Sequence, residues 1–201
     1  MKRCINMYEN KYKNIGLTSS GDLEIFLNLI AALNEPLELF AIGGTAMVLK
    51  NIKESTKDID FLTTEKYEKI KRMFNLAGLK EESPVKACNI WRLDGLRIDI
   101  FYDGFIMGIP FPEDWRKLSE HIKGIGKIRL NILNWYDLII TKISRSEKRD
   151  IEDIIAIIKS QKLDFNFLKE RYYSIAETSL ISDFDYKFEH LEAEYDKRKT
   201  N

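Results

Sequence analysis

The sequence is short of the residues that carry soft-metal and nucleophile chemistry. Its 201 residues hold two cysteines, Cys4 and Cys88, and two histidines, His121 and His190. The cysteines form no CxxC pair and match no zinc spacing, so they read as reduced, buried thiols. Two isolated histidines provide neither a zinc ligand set nor the base of a serine-type triad. Charge of either sign is not in excess, because Lys+Arg and Asp+Glu each number 32. No global basic field marks a nucleic-acid binder, and attraction for phosphate has to come from local patches. No apolar run approaches a membrane span, and Met1 to Tyr12 lacks the apolar core of a secretory signal. A cytoplasmic protein with no membrane partner is expected. The chain also has no internal repeat, no low-complexity tract and no GxxxxGK[ST] phosphate loop.

What remains is an ordinary globular composition, 44% hydrophobic and 32% charged, in a chain long enough to bury a core without disulfides. Thr18-Ser19-Ser20-Gly21-Asp22 reads as a helix start, and apolar residues at helical spacing run from Leu23 to Leu33 before Pro36. Leu37 to Ile42 reads as a strand broken by Gly43-Gly44, with a short helix from Thr45 to Leu49. Asp58 to Leu62 reads as a strand and Tyr67 to Leu76 as a helix that Gly78 ends. Asp94-Gly95 joins Ala87–Leu93 to Leu96–Tyr102 as a hairpin. Glu113 to Ile122 reads as a helix and Lys127 to Leu133 as a strand. Beyond that the pattern is helical throughout: 134–144, 147–159, 164–176 and 184–198. The fold class is α+β, organised as an N-terminal segment (1–20), a mixed sheet flanked by helices (21–133) and a helical C-terminal region (134–201).

The chemistry concentrates in the strands. Residues two apart on a strand share a face, so Asp58 and Asp60 point one way while Ile59 and Phe61 point into a core. Two adjacent carboxylates repel unless a cation lies between them, and hard oxygen donors suit Mg²⁺ or Mn²⁺. Asp99 repeats the arrangement between Ile98 and Ile100. If the hairpin pairs beside the Asp58 strand, Asp99 falls about 5 Å away across the ladder. Three carboxylates on one face suit two metals about 3.5–4 Å apart. Gly43 and Gly44, between a strand and a helix start, let backbone N–H groups approach a phosphate, and Thr45 adds a hydroxyl.

Ile42-Gly43-Gly44, thirteen intervening residues and then Asp58-Ile59-Asp60-Phe61 resemble the hG[GS]…Dh[DE]h signature of the polymerase-beta-like nucleotidyltransferase superfamily. Asp99, in Arg97-Ile98-Asp99-Ile100-Phe101, matches its third carboxylate. Asp137-Leu138 through Lys142 and Arg145 to Arg149-Asp150-Ile151-Glu152-Asp153 is similar to the helical segment of small prokaryotic members, including abortive-infection type toxins. The resemblance implies that residues 21–133 are a nucleotidyltransferase palm. It implies that Asp58, Asp60 and Asp99 are catalytic and bind metal, with Asp99 helping to activate an acceptor hydroxyl. An NTP would give up a nucleotidyl group with release of pyrophosphate, to an acceptor that is RNA or protein.

Lys142 and Arg145, three apart on one helix face, are expected to hold the triphosphate with Gly43, Gly44 and Thr45. The alternative is that both pair with Asp150 and Asp153 and brace the helices. Trp91, Trp115 and Trp135 could stack on a base, but core packing is the commoner use of tryptophan and is expected for at least two of them. Lys57 reads equally as a loop charge or a phosphate contact. The rival reading from another class is a non-catalytic module of the same fold, partner-binding or antitoxin-like.

Overall fold

The computed structural model describes residues 17–85 and 88–199. Most of the N-terminal segment, Cys4 and Ala87 lie outside them. A seven-strand path carries the architecture. In spatial order it runs β10 (Glu120–Ile125), β11 (Ile128–Ile132), β2 (Leu37–Ala41), β4 (Ile59–Thr63), β7 (Leu96–Tyr102), β6 (Cys88–Leu93) and β5 (Lys80–Val85). The sheet is mixed: β11 runs parallel to β2 and β4 parallel to β7, while the other neighbours are antiparallel. A two-residue hairpin, β8 (Phe105–Ile106) and β9 (Ile109–Pro110), extends from the end of β7. A small separate ladder joins β1 (Thr18–Ser19) to β3 (Ser55–Thr56).

One face of the sheet is closed by α1 (Ser20–Ala31) and α3 (Tyr67–Leu76). α1 starts where the sequence places a helix start, with Ser19 and Asp22 capping each other. Its Phe26 stacks on Phe61 of β4 at 6.1 Å and meets Phe74 of α3 edge-on at 5.7 Å. Phe74 in turn packs on Trp91 of β6. Trp115 meets Phe40 edge-on, and Trp91, Trp115 and Trp135 are all buried, so each serves packing. Because Phe61, Ile98 and Ile100 are committed to the core, the alternate residues Asp60 and Asp99 must face the other side.

The remaining helices are α2 (Gly43–Leu49), the single turn α4 (Trp115–Leu118), α5 (Trp135–Arg145), α6 (Lys148–Gln161), α7 (Phe165–Ala176) and α8 (Phe184–Lys199). α5 packs against α2, α6, α7 and α8. Left-handed Ser146 (φ 56°) ends α5, and Glu147 with Asp150 forms a capping box that starts α6. No described helix is long and apolar enough to cross a membrane.

The sequence reading of Glu113–Ile122 as a helix is corrected. Four residues form α4, Ser119 turns extended (ψ 145°), and β10 begins at Glu120. β10 is an edge strand exposed along most of its length, so it carries little of the apolar alternation that marks a strand. Its pairing with β11 holds it extended. The other edge, β5, was likewise not read as a strand. Lys80-Glu81-Glu82-Ser83-Pro84 is polar and contains a proline, which suits an edge that must resist further pairing.

A buried ion cluster ties the helical region to the segment entering α4. The Arg171 guanidinium of α7 donates to both oxygens of Asp137 on α5, at 2.7 and 2.9 Å, and to Asp114 at 3.0 Å. Burial pushes the Asp137 carboxyl up and Arg171 draws it back down. Removing one partner of such a pair leaves the other charge buried and uncompensated. Arg171→Leu should therefore cost about 3 kcal/mol of stability in urea unfolding. A loss below about 0.5 kcal/mol, the level of an ordinary surface substitution, would show that the cluster braces nothing.

Candidate active site

Below the β2–α2 turn, the parallel pairing of β4 with β7 sets Asp60 directly opposite Asp99. Asp58, just ahead of β4, joins them from the same side. The hydroxyl of Thr45 fixes this entrance to β4: it accepts the Asp60 N–H at 2.8 Å and donates to the Asp58 carbonyl at 3.4 Å. Thr45 is fully buried, so its hydroxyl stiffens the acidic strand from beneath and does not reach the cleft.

The two glycines are needed for different reasons. Gly43 is left-handed (φ 54°), and a Cβ there would stand 3.1 Å from Asp60 Oδ2. A Cβ on Gly44 would fall 2.1 Å from Thr56 Oγ1 and 2.8 Å from Thr56 Cβ. The bare turn therefore lets β3 pass close behind it and keeps side-chain bulk away from Asp60.

These elements form the floor of a cleft of about 710 Å³ whose lining includes Gly43, Gly44, Asp58, Asp60, Arg97 and Asp99. Thr141, Lys142, Arg145 and Asp153 from the helical region form its other wall. The size falls within the range of small-molecule and cofactor pockets. Of the eight residues named from sequence, Thr45 alone is absent from the lining.

The electrostatics follow from crowding. Burial first, then the charges of Asp99 and Asp58, push the Asp60 carboxyl up to about 7. Asp58 is also raised, chiefly by burial, with Arg97 opposing. Arg97 was not assigned a role from sequence, although it lies two residues before Asp99 and so shares its strand face. Its Nε and a terminal N–H grip the two Asp99 oxygens at 2.8 and 2.7 Å, and Nε lies 3.8 Å from Asp58 Oδ1. Lys53, also missed, donates to Asp153 at 2.6 Å. Its position in the glycine-to-aspartate spacer gives no periodic signal.

On the helical wall, Lys142 is almost wholly buried and bonds Asp153 at 2.7 Å, with Asp150 at 3.5 Å. Arg145 forks onto Asp150 and remains partly open to the cleft. The Arg145 charge also acts on Asp60 across the cleft, lowering it while burial raises it. Cys88 is a free thiol that burial pushes up to about 12, which keeps it unreactive.

This combination is a glycine turn above paired acids on parallel strands, faced by a helical wall in which Lys142 and Arg145 pair with Asp150 and Asp153. The chain belongs to the family described as nucleotidyltransferase of unknown function (DUF6036), whose profile matches residues 22–201. No curated protein matches the sequence. Among solved structures, the chain is similar to ANT(2'')-Ia in complex with adenylyl-2''-tobramycin, at TM-score 0.60 and 11% identity over 79% of this chain and 99% of that one. A solution structure of the antibiotic-resistance factor ANT(2'')-Ia gives TM-score 0.60 and 12% identity over 90% and 100%. JHP933 from Helicobacter pylori gives TM-score 0.43 and 14% identity over 91% and 95%. The ANT(2'')-Ia comparisons show the nucleotidyltransferase fold in this DUF6036 chain.

Crowded carboxylate oxygens are the donor type that suits a hard divalent ion. Among the described residues, no three acidic, histidine or cysteine side chains are gathered tightly enough to hold an ion as they stand. The donor chemistry nevertheless fits. Asp58 Oδ1 is buried without a hydrogen-bond donor, and Asp60 gains proton affinity first from burial and then from the negative charges of Asp99 and Asp58 beside it. Both conditions are relieved by a hard cation.

The turn yields a stability prediction. Gly44→Ala should lower stability by about 1–3 kcal/mol through overpacking, and adding Thr56→Ala should recover part of that loss, as read by thermal melts of the single and double variants. If Gly44→Ala melts like the parent, β3 does not constrain the turn.

Proposed function

We propose that this chain transfers a nucleotidyl group from an NTP to a hydroxyl of an acceptor, RNA or protein, and depends on Mg²⁺ or Mn²⁺. The observation that carries the reading is the register that sets Asp60 opposite Asp99 beneath the Gly43–Gly44 turn. Asp58, Asp60 and Asp99 would hold the metal, which when bound neutralises triphosphate charge and activates the attacking oxygen. Gly43 keeps side-chain bulk away from Asp60, and the backbone of Gly43 and Gly44 lines the cleft where phosphate would approach. Arg145 offsets the triphosphate charge from the helical wall with the part of its planar guanidinium left open to the cleft beside the Asp150 fork, while Lys142, buried against Asp150 and Asp153, acts as the brace of that wall.

The transfer is an in-line displacement at the α-phosphorus. A bond forms from the acceptor oxygen to phosphorus, the bond to the bridging oxygen breaks, and pyrophosphate leaves. Asp99 takes the proton of the acceptor hydroxyl at a carboxylate oxygen. The chain is read as a cytoplasmic enzyme. The non-catalytic reading draws on one observation, the Arg97 fork that engages both oxygens of Asp99.

Incubation with each α-labelled NTP and Mg²⁺, with cellular RNA, cellular protein or an aminoglycoside as acceptor, tests the proposal. Label should transfer to a macromolecular acceptor. Asp60→Asn should reduce it by about 10³-fold or more, as expected for loss of a group acting in the transition state. Transfer of label at the parental rate by Asp60→Asn would sink the mechanism, and transfer only to the aminoglycoside would overturn the acceptor assignment.

The helical wall is tested separately. Lys142→Met should cost about 3 kcal/mol of stability, because Asp150 and Asp153 lose a buried counter-charge. Arg145→Lys keeps the charge but loses the fork, and should weaken NTP binding about tenfold with little change for the free nucleoside. Equal NTP affinity in Arg145→Lys and the parent would remove Arg145 from the phosphate site.

A further inference from the structure

Arg97 shares β7 with Asp99 and also approaches Asp58 beside β4, and its placement has a cost for any other cation. The guanidinium occupies both oxygens of Asp99 at 2.8 and 2.7 Å while lying 3.8 Å from Asp58 Oδ1. It therefore reaches the two carboxylates between which a divalent ion would have to enter. The contact is well shielded: side-chain exposure is 18% for Arg97, 9% for Asp99 and 24% for Asp58. Shielded, bidentate, charge-assisted bonds are the strong kind.

Geometry on the strand makes the arrangement hard to avoid. Residues 97 and 99 share a face of β7, so an arginine at 97 folds back onto Asp99 without any other element moving. A metal that takes an oxygen of Asp99 must displace at least one arm of this fork. It also meets like-charge repulsion while the guanidinium stays in place.

We propose that Arg97 competes with the divalent cation for Asp58 and Asp99, so that metal binding is an exchange in which the guanidinium releases Asp99. Arg97 is then a positioning residue that sets metal affinity and frees the Asp99 carboxylate for the acceptor when the ion arrives. The released guanidinium stays in the cleft, where its planar fork suits phosphate oxygens. The inference rests on the metal-dependent reading above, and its test separates the two.

The protein is stripped with EDTA and titrated with Mn²⁺ alone, followed by calorimetry and by the electron spin resonance of free Mn²⁺. Arg97→Gln should bind Mn²⁺ about tenfold or more tightly than the parent, because a charged competitor has gone. Arg97→Lys, which keeps the charge without the fork, should lie between them and guards against poor folding of the glutamine variant. In the parent, the Arg97 side-chain N–H resonance, identified by its loss in Arg97→Lys, should move when diamagnetic Mg²⁺ is added. Equal or weaker Mn²⁺ affinity in both variants, with Mn²⁺ still bound by the parent, overturns the competition and leaves the metal reading standing. Failure of parent and variants alike to bind Mn²⁺ overturns both.

Discussion

The parallel pairing of β4 with β7 is the constraint on which the rest of this molecule depends. It sets Asp60 beside Asp99, and two neighbouring carboxylates with a third at Asp58 make an arrangement that would repel itself in isolation. Much around them can be understood as compensation or support. Phe61, Ile98 and Ile100 bury the opposite side of the same strands, so the acids cannot turn inward without exposing the core. Thr45 fixes the start of β4, and Gly43 keeps a side chain from crowding Asp60.

Compensating charge comes from two directions. Arg97 lies on the same face of β7 as Asp99. Arg145 acts on Asp60 from the helical wall, where Asp150 holds it, and Lys142 behind it is paired with Asp153 and Asp150. Lys53 reaches Asp153 from the spacer between the glycines and Asp58. The cleft is thus bounded by alternating charges from elements distant in sequence. In such a place, one proton or one cation more shifts the balance among several groups at once.

Much of this was legible from residue order. Strands with period-two patterning and helices with strong apolar spacing were read correctly because each has a buried face of its own. The edges were not. β10 and β5 are polar and owe their extended form to the neighbouring strand, so neither carries an alternation of its own. The glycine turn and the Asp-x-Asp strand were legible as chemistry because spacing on a strand dictates direction. The pairing partners of Lys142 and the role of Arg97 are matters of distance, and the list of residue types states no distances.

By itself, the sequence determined the α+β class, the shared face of Asp58 and Asp60, the hairpin at Asp94-Gly95 and the run of four helices that follows residue 133. These follow from local rules: periodicity, turn chemistry and the alternation of side chains along a strand. The tertiary structure decided that β7 lies parallel to β4 in the register that opposes Asp60 and Asp99. It also buried the Thr45 hydroxyl beneath them, set Thr56 against Gly44, and brought the α5–α6 ion cluster to face the acids. Those outcomes depend on contacts between segments tens of residues apart, and which segments meet is set by packing of the whole core.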